Sequence, residues 1–488
     1  MKLALLLGPP LIASAVAMLV RPYKRFVGRT SVGCAALSLV AAGWLAVGVV
    51  SGRTAPGPTT AIEPWGVDAL SALIAACIAF VALLASALAP GGGDDDDAYD
   101  PGQTRRYHVY VNAFVFTMLA AVTVQNIALM WVAIEATTLT SAMAIPLNRT
   151  KASVEASWKY ILVCSVGIAL AFAGTVLGYF DFVATAGHVP NALNWAVLRF
   201  AAPSLHPELL RLAFAFVLVG YGTKAGLAPM HTWLPDAHSE APSQVSAMMS
   251  GVLLAVAMYA IARWKAVVDA SMGPQFTNGM LIGFGLLSVV VGTFSLVIQR
   301  HYKRMLAYSS VEHMGLISIG LGLGPLGVFA AWLHVVNHAV AKSMSFLLAG
   351  RILRRYHTTE IDGVTGLFRA MPWTGALFAG GIMALIGLPP FGLFVSEFLL
   401  VQAALVARRP WLAAVVLLLL LTAFVSLLAH LNRMLYGDAP EGMRIGEGGE
   451  WRTAALMLPV AVLILLGVVL PGPVSALIDQ CVSNLMPR

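Results

Sequence analysis

The sequence predicts an all-α polytopic membrane protein with about 14 transmembrane helices, and three observations carry that expectation. Of 488 residues, 59% are hydrophobic and only 11% charged, whereas soluble domains carry roughly 25% charged residues; the mean hydropathy is +0.82. The apolar residues gather into runs of the length a helix needs to cross a bilayer. Those runs are too long for barrel strands, the other structure that satisfies its own backbone hydrogen bonds in hydrocarbon. A soluble globular enzyme is excluded.

The first run, 3–20, contains Ala13-Ser14-Ala15 and has features of a secretory signal, yet a second run at 31–50 follows almost at once. With the basic turn Arg21, Lys24, Arg25 and Arg29 between them, the first is read as a retained span. Runs at 66–89, 109–125, 127–147, 158–183 and 212–229 make spans 3 to 7. Runs at 243–263, 279–299, 306–324, 326–350, 374–402, 411–435 and 453–471 make spans 8 to 14. The chain thus divides into residues 1–108 with three spans and an acidic loop, 109–263, 279–435, and a last span and tail at 453–488.

Most of the 30 Lys and Arg lie in turns on one side of this arrangement. The positive-inside rule then puts both termini away from the cytoplasm. The excess of cations therefore orients the chain and does not point to nucleic acid. Cys34, Cys77, Cys164 and Cys481 form no CxxC pair, so neither an iron-sulfur cluster nor a thiolate zinc site is expected. Gly91-Gly92-Gly93-Asp94-Asp95-Asp96-Asp97 lacks the ligand alternation of a calcium loop and reads as a solvated loop. Gly322-Leu323-Gly324-Pro325-Leu326-Gly327 fits GxGxxG literally but joins two spans with no strand before it, so it reads as a tight turn.

An ionisable side chain at the centre of a membrane helix costs about 2.5 to 3.5 kcal/mol on insertion scales, so each asks for a partner or a task. Glu135 lies mid-span in the fifth run and Lys224 in the seventh, where they can pair across helices. Burial disfavours an ammonium and a nearby carboxylate favours it, so such a pairing is either a switch or a static tie. In span 11, His334, His338 and Lys342 follow at i, i+4 and i+8 on one helix face. Three protonatable groups on one stripe suit a relay. The residues between the two histidines are Val335, Val336 and Asn337, so the HExxH pattern is missing and no metal is assigned.

Pro or Gly interrupts two spans close to a charge, at Lys224-Ala225-Gly226-Leu227-Ala228-Pro229 in the seventh and Gly387-Leu388-Pro389-Pro390-Phe391-Gly392 ahead of Glu397 in the twelfth. Paired broken helices point to inverted repeats with ion sites beside the breaks. Their separation of five spans predicts two inverted five-helix repeats, spans 4 to 8 and 9 to 13.

Two stretches make the chain recognisable, His231-Thr232-Trp233-Leu234-Pro235-Asp236-Ala237-His238-Ser239-Glu240-Ala241-Pro242 and Lys303-Arg304-Met305-Leu306-Ala307-Tyr308-Ser309-Ser310-Val311-Glu312-His313-Met314-Gly315. They resemble the proton-translocating antiporter-like subunits shared by respiratory complex I, membrane-bound hydrogenases and Mrp cation/proton antiporters. Within that superfamily Ala237 to Arg263 looks closest to the F subunit of hydrogenase-4 and formate hydrogenlyase-like complexes. The resemblance implies a proton relay of Glu135, Lys224, His334, His338, Lys342 and Glu397. It also implies proton uptake near His313. His231, Asp236, His238 and Glu240, past the seventh-span break, are either residues of an uptake funnel or solvated caps. Respiratory members commonly have a Lys or His on the eighth helix, whereas Ser243 to Ala262 offer only Tyr259, so the link there is expected to use water near Gln244, Ser246, Ser250 and Tyr259.

The resemblance further implies a subunit without a cofactor or redox centre of its own. Its expected place is a bacterial inner membrane, among other membrane subunits and peripheral iron-sulfur subunits. A stand-alone Mrp-type Na⁺/H⁺ or K⁺/H⁺ antiporter subunit and an inorganic-carbon-uptake subunit are the rival readings.

Overall fold

The computed structural model describes residues 2–52, 64–91, 99–189, 191–443, 445–447 and 454–486. The Asp94–Asp97 loop, together with Arg53, Arg444, Arg452 and Arg488, lies outside the described residues. Among the described residues the regular structure is helical, with isolated backbone bridges and no strand.

The first helices are α1 (Lys2–Leu19), α2 (Arg25–Val50), α3 (Ala69–Ala87), α4 (Pro101–Thr123), α5 (Ile127–Ala144) and α6 (Lys151–Ala186). A short α7 (Trp195–Ala201) precedes α8 (Pro207–Ala225) and α9 (Leu234–Glu240). One helix then runs from α10 (Ser243–Met248) through a π-helical turn at Met249–Leu253 into α11 (Leu254–Met272). After it come α12 (Gln275–Val297), α13 (Tyr302–Leu321), α14 (Gly324–Tyr356), α15 (Leu367–Ala370), α16 (Pro372–Leu385), α17 (Gly392–Val406) and α18 (Pro410–Leu435). The last are α19 (Met457–Val468) and α20 (Gly472–Leu485). By length and apolarity eight of the described helices suffice to cross a membrane, or nine if the bent α19 and α20 pair is one span.

Burial sorts these helices into layers. The Ser243–Met272 helix is buried along its whole apolar window and α3 along 83% of it, whereas α6 and α18 bury only 39%. The outer helices keep large apolar side chains exposed, among them Trp158, Leu162 and Val166 on α6 and Leu421 and Val425 on α18, as a lipid-facing surface requires. The buried polar side chains come from both layers, Tyr160 and Asp181 of α6 among them.

Glycine lets helices approach closely where that chemistry sits, because a missing Cβ brings backbones together without a hydrophobic drive from water. On α8, a Cβ at Gly220 would meet Ala171 N of α6 at 2.5 Å. On α12, a Cβ at Gly285 would meet Gly315 O of α13 at 2.7 Å, and one at Gly292 would meet Glu312 N at 2.8 Å.

The residues after span 14, expected as a tail, instead form α20, set at 72° to α19. Leu477, Ile478, Cys481 and Leu485 bury one helical stripe of it, which is the periodicity of an amphipathic helix. Arg199 of α7 donates to the carbonyls of Asn484 and Met486 at its end. Span 12 is likewise two helices, α16 and α17, with residues 386–391 between them.

Gly285→Val should destabilise the protein in detergent by about 1–3 kcal/mol, read as a lowered unfolding midpoint. Gly283→Val on the same helix, where an added Cβ has nothing within 4 Å, should leave the midpoint close to wild type.

Candidate functional site

Lys224 lies in the last turn of α8 and is fully buried. The helix ends there because Gly226 takes a left-handed conformation (φ +74°), which a residue with a side chain rarely adopts. Gly226 N then donates to Thr223 O (3.1 Å) and Leu227 N to Gly222 O (2.9 Å). A cation in this turn is favoured by the carbonyl end of the helix dipole. Trp233 Nε1 donates back to Thr223 O (2.8 Å), fixing the chain beyond the break against α8.

The Lys224 ammonium donates to Thr138 Oγ1 (2.8 Å) and to Tyr160 OH (2.5 Å), and it lies 4.7 Å from the Tyr160 ring centre. Thr138 Oγ1 donates in turn to Glu135 Oε2 (3.3 Å), while Ser165 donates to Glu135 Oε1 (3.0 Å). The direct pairing of Glu135 with Lys224 expected from the sequence is thus replaced by a bridge through one hydroxyl. Tyr160 and Thr138 occupy the space beside the ammonium, and Glu135, half-buried, faces Ser165 of α6. A hydroxyl accepts from one partner while donating to another, so the pair stays linked without an ion-pair contact.

A second cluster lies between α13, α14 and α17. Lys342 donates to Leu306 O (2.8 Å) and to Ser309 Oγ of α13. His334 and His338 are fully buried on the same face of α14. His313, beside which the resemblance implies proton uptake, is buried here, with Nδ1 3.0 Å from His334 Nε2 and its ring 5.3 Å from that of His338. His334 Nδ1 lies 2.9 Å from Ser396 Oγ of α17. Glu397 follows Ser396, and a Cβ at Gly387 in the α16/α17 break would fall 2.0 Å from its Oε2. Only glycine leaves room for that carboxylate.

Between the clusters lies His238, also expected nearer the surface. It is fully buried, its ring packed edge-on against Trp233 (6.1 Å) and Phe346 of α14 (5.6 Å). Trp233 itself lies against Tyr160, the partner of Lys224 (4.7 Å). Neither ring nitrogen of His238 or of His338 has a hydrogen-bond partner in the protein. Buried polar atoms left this way are the usual lodging of internal water.

The other sequence candidates separate. Tyr259 OH donates to Val122 O (3.1 Å) and approaches Ser71 (3.3 Å), beside a buried Arg263 to Asp68 ion pair (2.6 Å). Ser250 pairs with Ser310 (2.8 Å), and Gln244 donates to Leu88 O (2.7 Å). Asp236 accepts from Lys159 (2.5 Å) and Arg304 (2.8 Å) and so ties α6, α9 and α13 together. His231 is half-buried against Tyr308. Glu240 is exposed at the mouth of a cavity of about 250 Å³ that Lys303, Ser243, Gln244 and Arg351 also line.

Sequence reasoning missed Thr138, Tyr160, Ser309, Ser396 and Glu312. The last is a buried carboxylate on α13 that Thr293 approaches at 3.4 Å and that interacts electrostatically with Lys342. The i, i+3 spacing of Glu135 and Thr138 was an available signal.

A helical membrane fold with lysines, histidines and glutamates linked inside its central layer defines an antiporter-like membrane subunit. The chain belongs to the NADH:quinone oxidoreductase/Mrp antiporter transmembrane family, matched over residues 124–422. It is 42% identical to a hydrogenase-4 component F homolog of Methylacidiphilum infernorum over 70% of this chain and 72% of that one. It is 32% identical to hydrogenase-4 component B of Escherichia coli over 59% of this chain, but spans only 44% of that protein. A chain of the membrane-bound sulfane sulfur reductase, an archaeal respiratory membrane complex, superposes with a TM-score of 0.88 at 27% identity, covering 100% of this chain and 98% of that one.

Thr138→Val keeps the branched shape but removes the hydroxyl bridge. It should cost about 1–3 kcal/mol of stability, the penalty for stranding a buried polar partner, measured by denaturation in mixed micelles. Thr138→Ser should restore most of it.

Proposed function

We propose that the chain moves protons across a membrane as one subunit of a multisubunit complex of the NADH:quinone oxidoreductase or hydrogenase-4 class. The observation that carries this reading is the succession of protonatable groups through the protein interior, from half-buried Glu135 and buried Lys224 past His238 to His338, Lys342, His313, His334 and Glu397, all buried. Its lysines are held by hydroxyls and carbonyls, which leave an ammonium free to give up its proton without breaking an ion pair. A Grotthuss-type path needs groups that both accept and donate, and imidazole, hydroxyl and water all do so. In this reading His238 supplies the protonatable group that the eighth span lacks, and water lodged at its bare nitrogens joins it to the two lysines.

The finer architecture belongs to the same proposal. The chain has fourteen spans, with span 8 running through the π turn and spans 7 and 12 broken. Spans 4 to 8 and 9 to 13 are inverted repeats. The two breaks support this, because Gly387 N to Ala384 O (3.1 Å) and Leu388 N to Met383 O (3.1 Å) repeat the bonding at Gly226 and Leu227. Residues 109–263 and 279–435 are the two repeats, flanked by 1–108 and 453–488. The membrane is the bacterial inner membrane, with both termini outside the cytoplasm. His231 and Glu240 take up protons from the cytoplasmic side, His313 serves inside the relay, and Glu397 handles exit.

A redox reaction in partner subunits biases the Glu135 to Lys224 link, so peripheral iron-sulfur subunits belong to the assembly. The second reading, an Mrp-type cation/proton antiporter subunit, is favoured by the family that both share, and it predicts copurification without iron-sulfur proteins.

Proton uptake into inverted membrane vesicles, followed with a pH-sensitive dye while the complex turns over, tests the proposal. Lys224→Ala and Lys342→Ala should each lower vectorial transfer about 100-fold or more, and His238→Phe should do likewise, within the range general acid-base groups contribute. Unchanged transfer in all three would overturn the relay.

A further inference from the structure

The His313, His334 and Glu397 side chains do more than line a proton path. Their ligand-capable atoms all lie within 4.8 Å of one another, and all three residues are buried. Two further features aim those atoms at a shared point. Ser396 Oγ gives its hydrogen to Leu393 O (2.9 Å), so toward His334 Nδ1 it can only accept, which puts the ring hydrogen on Nδ1 and leaves Nε2 a bare lone pair. That lone pair faces His313 Nδ1 at 3.0 Å. Glu397 Oε1, meanwhile, is buried without any hydrogen-bond partner, as is His313 Nε2.

We propose that this triad is a binding site for a divalent transition-metal ion of the zinc class. Two imidazoles and one carboxylate, with a coordination position left for water, are a recurrent zinc ligand set. Zinc bonds of 2.0–2.1 Å place tetrahedral ligands about 3.4 Å apart, close to the His313 to His334 spacing and within a side-chain swing of Glu397. The hydrogen bond that His334 Nδ1 donates to Ser396 Oγ does what outer contacts to ligating histidines do, fixing the tautomer and the ring orientation. Nitrogen-rich donors select such ions over Na⁺, K⁺ or Mg²⁺, which take oxygen. The sequence pattern that argued against a metal concerned His334 with His338; the pairing that forms the site joins α13 to α14 instead.

The ion takes the place of the hydrogen between His313 and His334. That hydrogen, the one a neutral imidazole carries on nitrogen, moves to His313 Nε2, which has no hydrogen-bond partner in the protein. Binding stands on this geometry alone. Its consequence, that the ion blocks proton passage, rests on the relay proposed above.

The full chain, purified in detergent with whatever subunits accompany it, would be titrated with Co²⁺ as an optical probe and back-titrated with Zn²⁺. The expected result is the visible absorption of four-coordinate Co²⁺, displaced by stoichiometric Zn²⁺, and X-ray absorption of the zinc-loaded protein with imidazole and oxygen but no sulfur neighbours. His334→Gln and Glu397→Gln should each weaken binding about 100-fold, and Ser396→Ala about 10-fold. Absence of the absorption, a sulfur neighbour, or affinity indifferent to all three substitutions overturns the site, even if proton transfer proceeds as proposed. Zn²⁺ that binds as expected yet leaves proton transfer unaltered upholds the site and overturns the block.

Discussion

Every feature of the central layer answers one constraint, that an ionised side chain withdrawn from water and surrounded by lipid-facing helices must find polar company inside the protein. The buried cations solve this in two distinct ways. Arg263 and Lys265 meet carboxylates, Asp68 and Asp269. Lys224, Lys303 and Lys342 donate their hydrogen bonds to neutral acceptors, the first to Thr138 and Tyr160, the second to the carbonyls of Ser239 and Ala241, the third to Leu306 O and Ser309. An ion pair must be broken before either partner changes charge, whereas an ammonium in a cage of hydroxyls and carbonyls loses a proton and keeps an acceptable neutral amine behind. The same molecule therefore separates cations that brace the fold from cations suited to switching.

The two helix breaks supply the polar company where it is needed. Ending α8 at Gly226 brings the carbonyl end of a helix to Lys224, and opening the chain between α16 and α17 admits the Glu397 carboxylate against Gly387. A Cβ at Gly392 would likewise fall 2.1 Å from Asn337 Oδ1, so the second break accommodates polar side chains from two helices at once. Irregular backbone at membrane depth is tolerated only where it is enclosed by protein or lines a cavity; Gly226, Leu227 and Ala228 of the first break are buried, with Ala228 N donating to Ser288 Oγ of α12 (2.9 Å), and in the second Phe391 and Gly392 are buried while Pro389 and Pro390 are exposed.

Hydropathy made the membrane class and the ionisable outliers legible, because Glu135, Lys224, Lys342 and Glu397 stand out in apolar runs. The His334, His338 and Lys342 stripe followed from helical spacing. Their partners were not legible. Thr138, Tyr160, Ser309 and Ser396 are hydroxyl residues of a kind common in membrane helices, where a hydroxyl can bond its own backbone and needs no partner. The His313 to His334 contact joins residues on separate helices across the Gly322-Leu323 turn, a closeness set by packing. His238 was read as near the surface because it follows a break, yet the short α9 folds inward and carries it between Trp233 and Phe346. Tyr259, the eighth-span candidate, faces away toward Asp68 and Arg263 for a reason equally outside any local pattern.

The donor set along the central layer also bears on the proposed relay. A dehydrated Na⁺ or K⁺ needs several oxygens converging on one point, whereas His238 and His338, which the proposed relay places between Lys224 and Lys342, offer ring nitrogens without hydrogen-bond partners in the protein. A proton needs neither a cage nor a continuous pore, since each group along the line passes on a hydrogen different from the one it receives. In the proposed relay the lateral step through His238 and His338 therefore suits H⁺, because imidazole, hydroxyl and water both accept and donate.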